Sequence, residues 1–143
     1  MATLSLLAGL ALTPATVAAA PPADRIGPGK TLVTLSGGAA PGSRAGSSRD
    51  GAVIARVRRM LNALPVYRPA LVCPDDLTVP SVLAFYRTPT ASPYARVSFQ
   101  LGGCPRATVT RGGRVVGPPL GGPRLLATID AIRTLIDRPN PTA

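Results

Sequence analysis

Between Asp50 and Pro65 apolar side chains recur every three or four positions, at Val53, Val57, Met60 or Leu61, and Leu64, while Arg56 and Arg59 fall on another side. That spacing predicts an amphipathic helix, with Asp50 as its N-cap and Pro65 as its stop. A second stripe, Leu125, Ile129, Ile132 and Ile136, predicts another helix, which Pro139 ends. Between the helices the period falls to two. From Tyr94 to Leu101 the residues Ala95, Val97, Phe99 and Leu101 alternate with Arg96, Ser98 and Gln100, the pattern of a strand with one buried and one wet face. Val82 to Thr88 is rich in strand formers and is expected to pair with it, across a turn at Pro89 to Pro93. Ala107 to Arg111 and Arg114 to Val116 flank Gly112-Gly113, a two-residue hairpin signal that sets Val109 opposite Val116. Val66 to Pro69 reads as extended, and Gly117 to Pro123 as a Gly/Pro connection.

The order helix, hairpin, hairpin, helix predicts an α+β domain over residues 50–138: a small antiparallel sheet of two hairpins, with one helix before it and one after. Residues 21–49 are rich in Pro, Gly and Ser and read as a flexible linker. Within them Thr31 to Leu35 is a short extended patch suited to an edge strand. Residues 1–20 read as a signal peptide, because an apolar run from Leu4 to Leu12 is followed by small residues ending Thr16-Val17-Ala18-Ala19-Ala20. The run is shorter than the roughly 20 residues of a membrane span. Residues 139–143 read as a disordered tail.

Composition narrows the chemistry. The chain has 143 residues, 16 of them basic and 6 acidic, for a net charge of +10. All basic residues but Lys30 are Arg, all acids are Asp, and His, Glu and Trp are absent. That bias points to a GC-rich bacterial source. Without His or Glu the chain cannot build a Ser-His-Asp or Cys-His site, a His-bearing zinc site or a Glu acid/base pair. No cofactor and no metal are expected, and the chain reads as a non-enzyme. Asp75 and Asp76, the adjacent carboxylates, suit a turn after Pro74 better than a catalytic pair.

Cys73 and Cys104 are the two cysteines. An exported chain meets an oxidising compartment, where they are expected to join. Closing about 32 residues contributes on the order of 3.5 kcal/mol in the chain-entropy account. A reactive or metal-binding thiol pair fails on spacing and on the lack of a His partner.

Arg56, Arg58 and Arg59, with Arg49 and Arg68 near the helix ends, are candidate contacts for anionic cell-envelope polymers; the competing reading is a solvated helix face. Nucleic acid is disfavoured by the expected export and by the lack of an aromatic stacking platform.

Taken together, Asn62-Ala63-Leu64-Pro65, Cys73-Pro74-Asp75-Asp76, Leu83-Ala84-Phe85, Gly103-Cys104 and the helix from Leu125 to Ile136 resemble small exported single-disulfide α+β domains of high-GC Gram-positive bacteria. The resemblance covers roughly residues 52–138 and implies no activity, ligand or catalytic residue. Locally, Cys104-Pro105-Arg106-Ala107 is similar to the reactive-site run of subtilisin-inhibitor-like proteins. That likeness implies an extracellular serine protease as partner, with Pro105, Arg106 and Ala107 as the inhibitor loop and Arg106 filling the protease pocket.

Overall fold

The computed structural model describes residues 24–37, 45–69, 72–74 and 79–137. The signal stretch 1–20, Asp75 and Asp76, and the tail 139–143 lie outside the described residues. In chain order the elements are β1 (Leu32–Gly37), β2 (Gly46–Ser48), α1 (Gly51–Asn62), β3 (Ser81–Tyr86), β4 (Ala95–Gln100), β5 (Arg106–Arg111), β6 (Arg114–Val115), β7 (Leu120–Gly121) and α2 (Leu125–Ile136).

Every strand pairing is antiparallel, in the order β2-β1-β3-β4-β5-β6. β7 also pairs with β5, so β6 and β7 lie along the same edge of that strand. Both expected hairpins form, as β3–β4 and β5–β6. At the second turn Gly112 and Gly113 take φ of 56° and 76°, the positive values that a tight two-residue hairpin demands. Thr110 stands opposite Val115, and the next pair, Val109 and Val116, is joined by a 2.8 Å backbone hydrogen bond.

Register explains why the core lies on one side. Across the strands one row holds Val33, Phe85 and Ala95, and the next holds Leu35, Leu83, Val97 and Val109. A third holds Ser81, Phe99, Ala107 and Leu120. All of these residues are buried. Side chains alternate across a sheet, so the opposite face carries Thr34, Ser36, Arg96, Ser98, Thr108 and Thr110. Ile54, Val57 and Leu61 of α1 and Leu125, Ile129, Ile132 and Ile136 of α2 join the buried rows in one cluster. The buried stripe of α1 therefore runs through Ile54, with Val53 and Met60 at its margin, one position from the expected Val53. Asp50 caps the helix as expected: its Oδ1 accepts hydrogen bonds from the backbone N–H groups of Ala52 at 2.8 Å and Val53 at 3.4 Å.

Three expectations need correction. The described part of 21–49 is not a linker: it supplies β1 and β2 to the sheet and buries Ile26, Val33 and Leu35. The patch at Thr31 to Leu35 is not an edge strand either, since β1 lies between β2 and β3. The physical reason is that two apolar side chains facing one way, Val33 and Leu35, extend two buried rows already built by the neighbouring strands. A segment too poor to form a core of its own completes one made elsewhere. Lastly, the Gly/Pro connection contains β7, against which the chain after α1 packs, with Tyr67 N–H donating to Pro119 O at 2.8 Å and Gly121 N–H to Pro65 O at 2.9 Å.

Cys73 and Cys104 are bonded, with Cα atoms 5.4 Å apart. The bridge ties the extended segment after α1 to the β4–β5 connection, enclosing β3 and β4 in one covalent loop.

Candidate functional site

Successive residues step about 100° around a helix, so the three clustered arginines of α1 do not share a face. Arg56 and Arg59, three apart, are exposed on the outer side. Arg58 lies on the other flank, half-buried, with its Nε 3.8 Å from Asp24 Oδ2. The expected cluster is thus divided, and Arg58 belongs to a different group of charges.

That group forms where the Asp24-to-Lys30 turn crosses α1 and the end of the sheet. Asp24 is held in place by N–H donors: Gly27 N at 2.9 Å, Ile26 N at 3.3 Å and Asn62 Nδ2 at 2.8 Å. Partial burial by itself would raise its pKa. The Gly27 and Asn62 hydrogen bonds, the Arg58 charge and the Ile26 hydrogen bond outweigh burial and hold the carboxyl below its ordinary value. Lys30 Nζ and the Arg87 guanidinium each lie 3.9 Å from the Tyr94 ring centroid, the geometry of cation–π contacts. Lys30 Nζ also donates to Pro28 O at 2.8 Å. Burial and the neighbouring Arg87 push the Lys30 pKa down; Asp24 opposes this, and Arg58 and Arg111 add to it. A cleft of about 120 Å³ opens here, lined by Gly27, Gly29, Lys30, Gly51, Ile54 and Arg58. Sequence reading missed Lys30, Arg87, Tyr94 and Arg111 as one group. They come from three distant stretches, and no local period marks them.

The inhibitor run takes a different form from the one its likeness implies. Arg106 opens β5 and pairs with Gln100 on one side and Gly121 on the other. Its Nε donates to Gln100 Oε1 at 2.7 Å. Pro105 is half-buried and Ala107 fully buried. A loop that enters a protease needs its backbone free, and both edges here are taken by the protein's own sheet.

Beside the disulfide lies a larger apolar cleft of about 580 Å³, with Pro65, Val66, Tyr67, Cys104, Pro105 and Leu126 on its walls and Arg68 at the margin. Tyr67 Oη is 3.2 Å from Cys73 Sγ. Arg49 and Arg68 are both exposed and do not join the group around Lys30.

Among the described residues no group of three His, Cys, Asp or Glu is placed to hold a metal ion, and no helix is long and apolar enough to cross a membrane. No family model, curated protein or solved structure matches the chain.

Proposed function

We propose that the protein is an exported, non-enzymatic domain that associates with anionic polymers of the cell envelope through its arginine-rich surface. The observation that carries this reading is the imbalance of charge at the surface. Among the described residues only Arg58 and Arg133 meet a carboxylate within 4.0 Å, although 16 basic residues stand against 6 acidic ones in the chain. A surface with a strong excess of one sign attracts polyanions and releases them as salt screens the field. Export draws its support from the apolar run near Leu4 and from the bonded cysteines, which persist in oxidising compartments. The absence of His and Glu from the sequence supports a role without acid/base catalysis.

The test is co-sedimentation of the purified protein with isolated wall material over a salt series. The reading expects binding at low ionic strength that falls steeply as salt rises. Binding that is absent at low salt, or unchanged by salt, would overturn it.

A further inference from the structure

We propose that the cleft between the Gly27-to-Lys30 turn and the start of α1 binds one phosphate-class anion, held by Lys30, Arg58 and Arg111. The inference deepens the polymer-binding reading and rests on it for the source of that anion, a phosphodiester of an envelope polymer.

The geometry that supports it is a convergence of cations around bare backbone. A Cβ placed on Gly27 would sit 3.9 Å from Lys30 Nζ and 4.0 Å from Arg111 Nη1, so both cations approach the same glycine. Gly27 and Gly29 hold φ of 76° and 75°, values that glycine adopts without strain and that curl the backbone around the cleft. Arg58 lines the cleft from α1. Arg87 stands beyond Lys30 on the Tyr94 ring. Like charges brought this close repel: besides burial, Arg87, Arg58 and Arg111 each act to push the Lys30 pKa down. A bound anion would relieve this repulsion.

Two carboxylates lie nearby: Asp24 offsets part of the charge, through Arg58 at 3.8 Å and through its pull on Lys30, and leaves the group with a net excess of positive charge. Asp24 is occupied by Gly27, Ile26, Asn62 and Arg58. Asp50 is turned onto the first turn of α1, where it accepts from Ala52 and Val53. Since Asp50 already serves the helix end, the attraction comes from side chains and not from the helix dipole. Size sets the ligand class. A cleft of about 120 Å³ is well under the roughly 300 Å³ at which sites for small organic ligands begin, which leaves a single small anion as the fitting occupant. Gly29-Lys30-Thr31 is not the phosphate loop of nucleotide-binding proteins: Asp24 stands where that motif requires its first glycine, and the run leads into a strand.

The experiment follows backbone amide shifts in the full chain during titration with inorganic phosphate, with chloride at matched ionic strength as control. Expected are phosphate-specific shifts centred on Gly27, Gly29, Lys30 and Gly51, with affinity falling at least tenfold in Lys30→Met and in Arg111→Gln. The double variant Arg56→Gln/Arg59→Gln should bind phosphate as the parent does. The same spectra show whether each variant is folded. A second arm uses a short poly(glycerol phosphate), which should shift the same amides. Phosphate shifts matched by chloride, or spread over the surface arginines and unaffected by Lys30→Met, would overturn the site. If wall co-sedimentation persists in that case, the polymer reading stands and only the site falls. Phosphate binding without poly(glycerol phosphate) binding overturns the polymer source and leaves a site for free phosphate.

Discussion

Val33 of β1 stands directly opposite Phe85 of β3, and both side chains are wholly buried. Their pairing makes a stretch that precedes the two expected hairpins part of the core. Val33→Ala should cost about 2 kcal/mol and Phe85→Ala about 3 to 5 kcal/mol, measured by urea unfolding. Because the two residues are cross-strand neighbours, the double variant should depart from additivity by at least about 0.5 kcal/mol. A loss near zero for Val33→Ala would mean that β1 is dispensable.

The bridge between Cys73 and Cys104 joins two surface segments, so its contribution comes mainly from limiting the unfolded chain. Replacing both cysteines by Ser should lower stability by about 3 kcal/mol, with the folded spectrum retained at low temperature. Thiol titration of unreduced, denatured protein should find no reactive thiol, whereas two thiols per chain would refute the pairing.

Asp24 and Lys30 both make stability rise with pH, in separate windows, the first because the fold favours its charge and the second because the fold disfavours it. The folded pKa of Asp24 lies below its ordinary 3.8, so the unfolded chain takes up this proton first on acidification. The stabilisation is complete above the ordinary value and is lost as pH falls through the folded one. Asp24→Asn should therefore flatten the acid limb of a plot of stability against pH. Lys30 is lowered from 10.5 in the fold, which means its charge is disfavoured there. That penalty holds below the folded pKa and is relieved as pH rises through it toward 10.5, so this group makes stability rise with pH in that window. Lys30→Met should remove the rise. Urea midpoints of parent and variants across pH provide the measurement.

Arg106 is fixed in a ladder on both sides and hydrogen-bonded to Gln100. Trypsin activity should be unchanged by micromolar concentrations of the protein, and Arg106→Ala should affect folding stability and not protease activity. Stoichiometric inhibition abolished by Arg106→Ala would show that β5 opens and that the likeness to subtilisin-inhibitor-like proteins is functional.

Local order was largely readable from residues alone. Asp50 and Pro65 bound α1, the Ala95-Val97-Phe99 alternation marks the buried face of β4, Gly112-Gly113 turns the second hairpin, and Leu125 to Ile136 forms one stripe, because capping, side-chain alternation and positive φ act over a few residues. Helix phase was off by one position, at Ile54 and not Val53, since a stripe's centre depends on what it packs against. The place of β1 within the sheet, the contribution of Ile26 to the core and the strand at Leu120 were decided only by the tertiary structure. Each depends on partners far along the chain, whose buried rows reward a short apolar segment that could not stand alone. The same holds for the charges. Sequence neighbours Arg58 and Arg59 part company on the helix, while Lys30, Arg87 and Arg111 meet because β1 begins where β3 and β5 end, at one end of the sheet, and Coulomb forces follow distance in space, not separation along the chain.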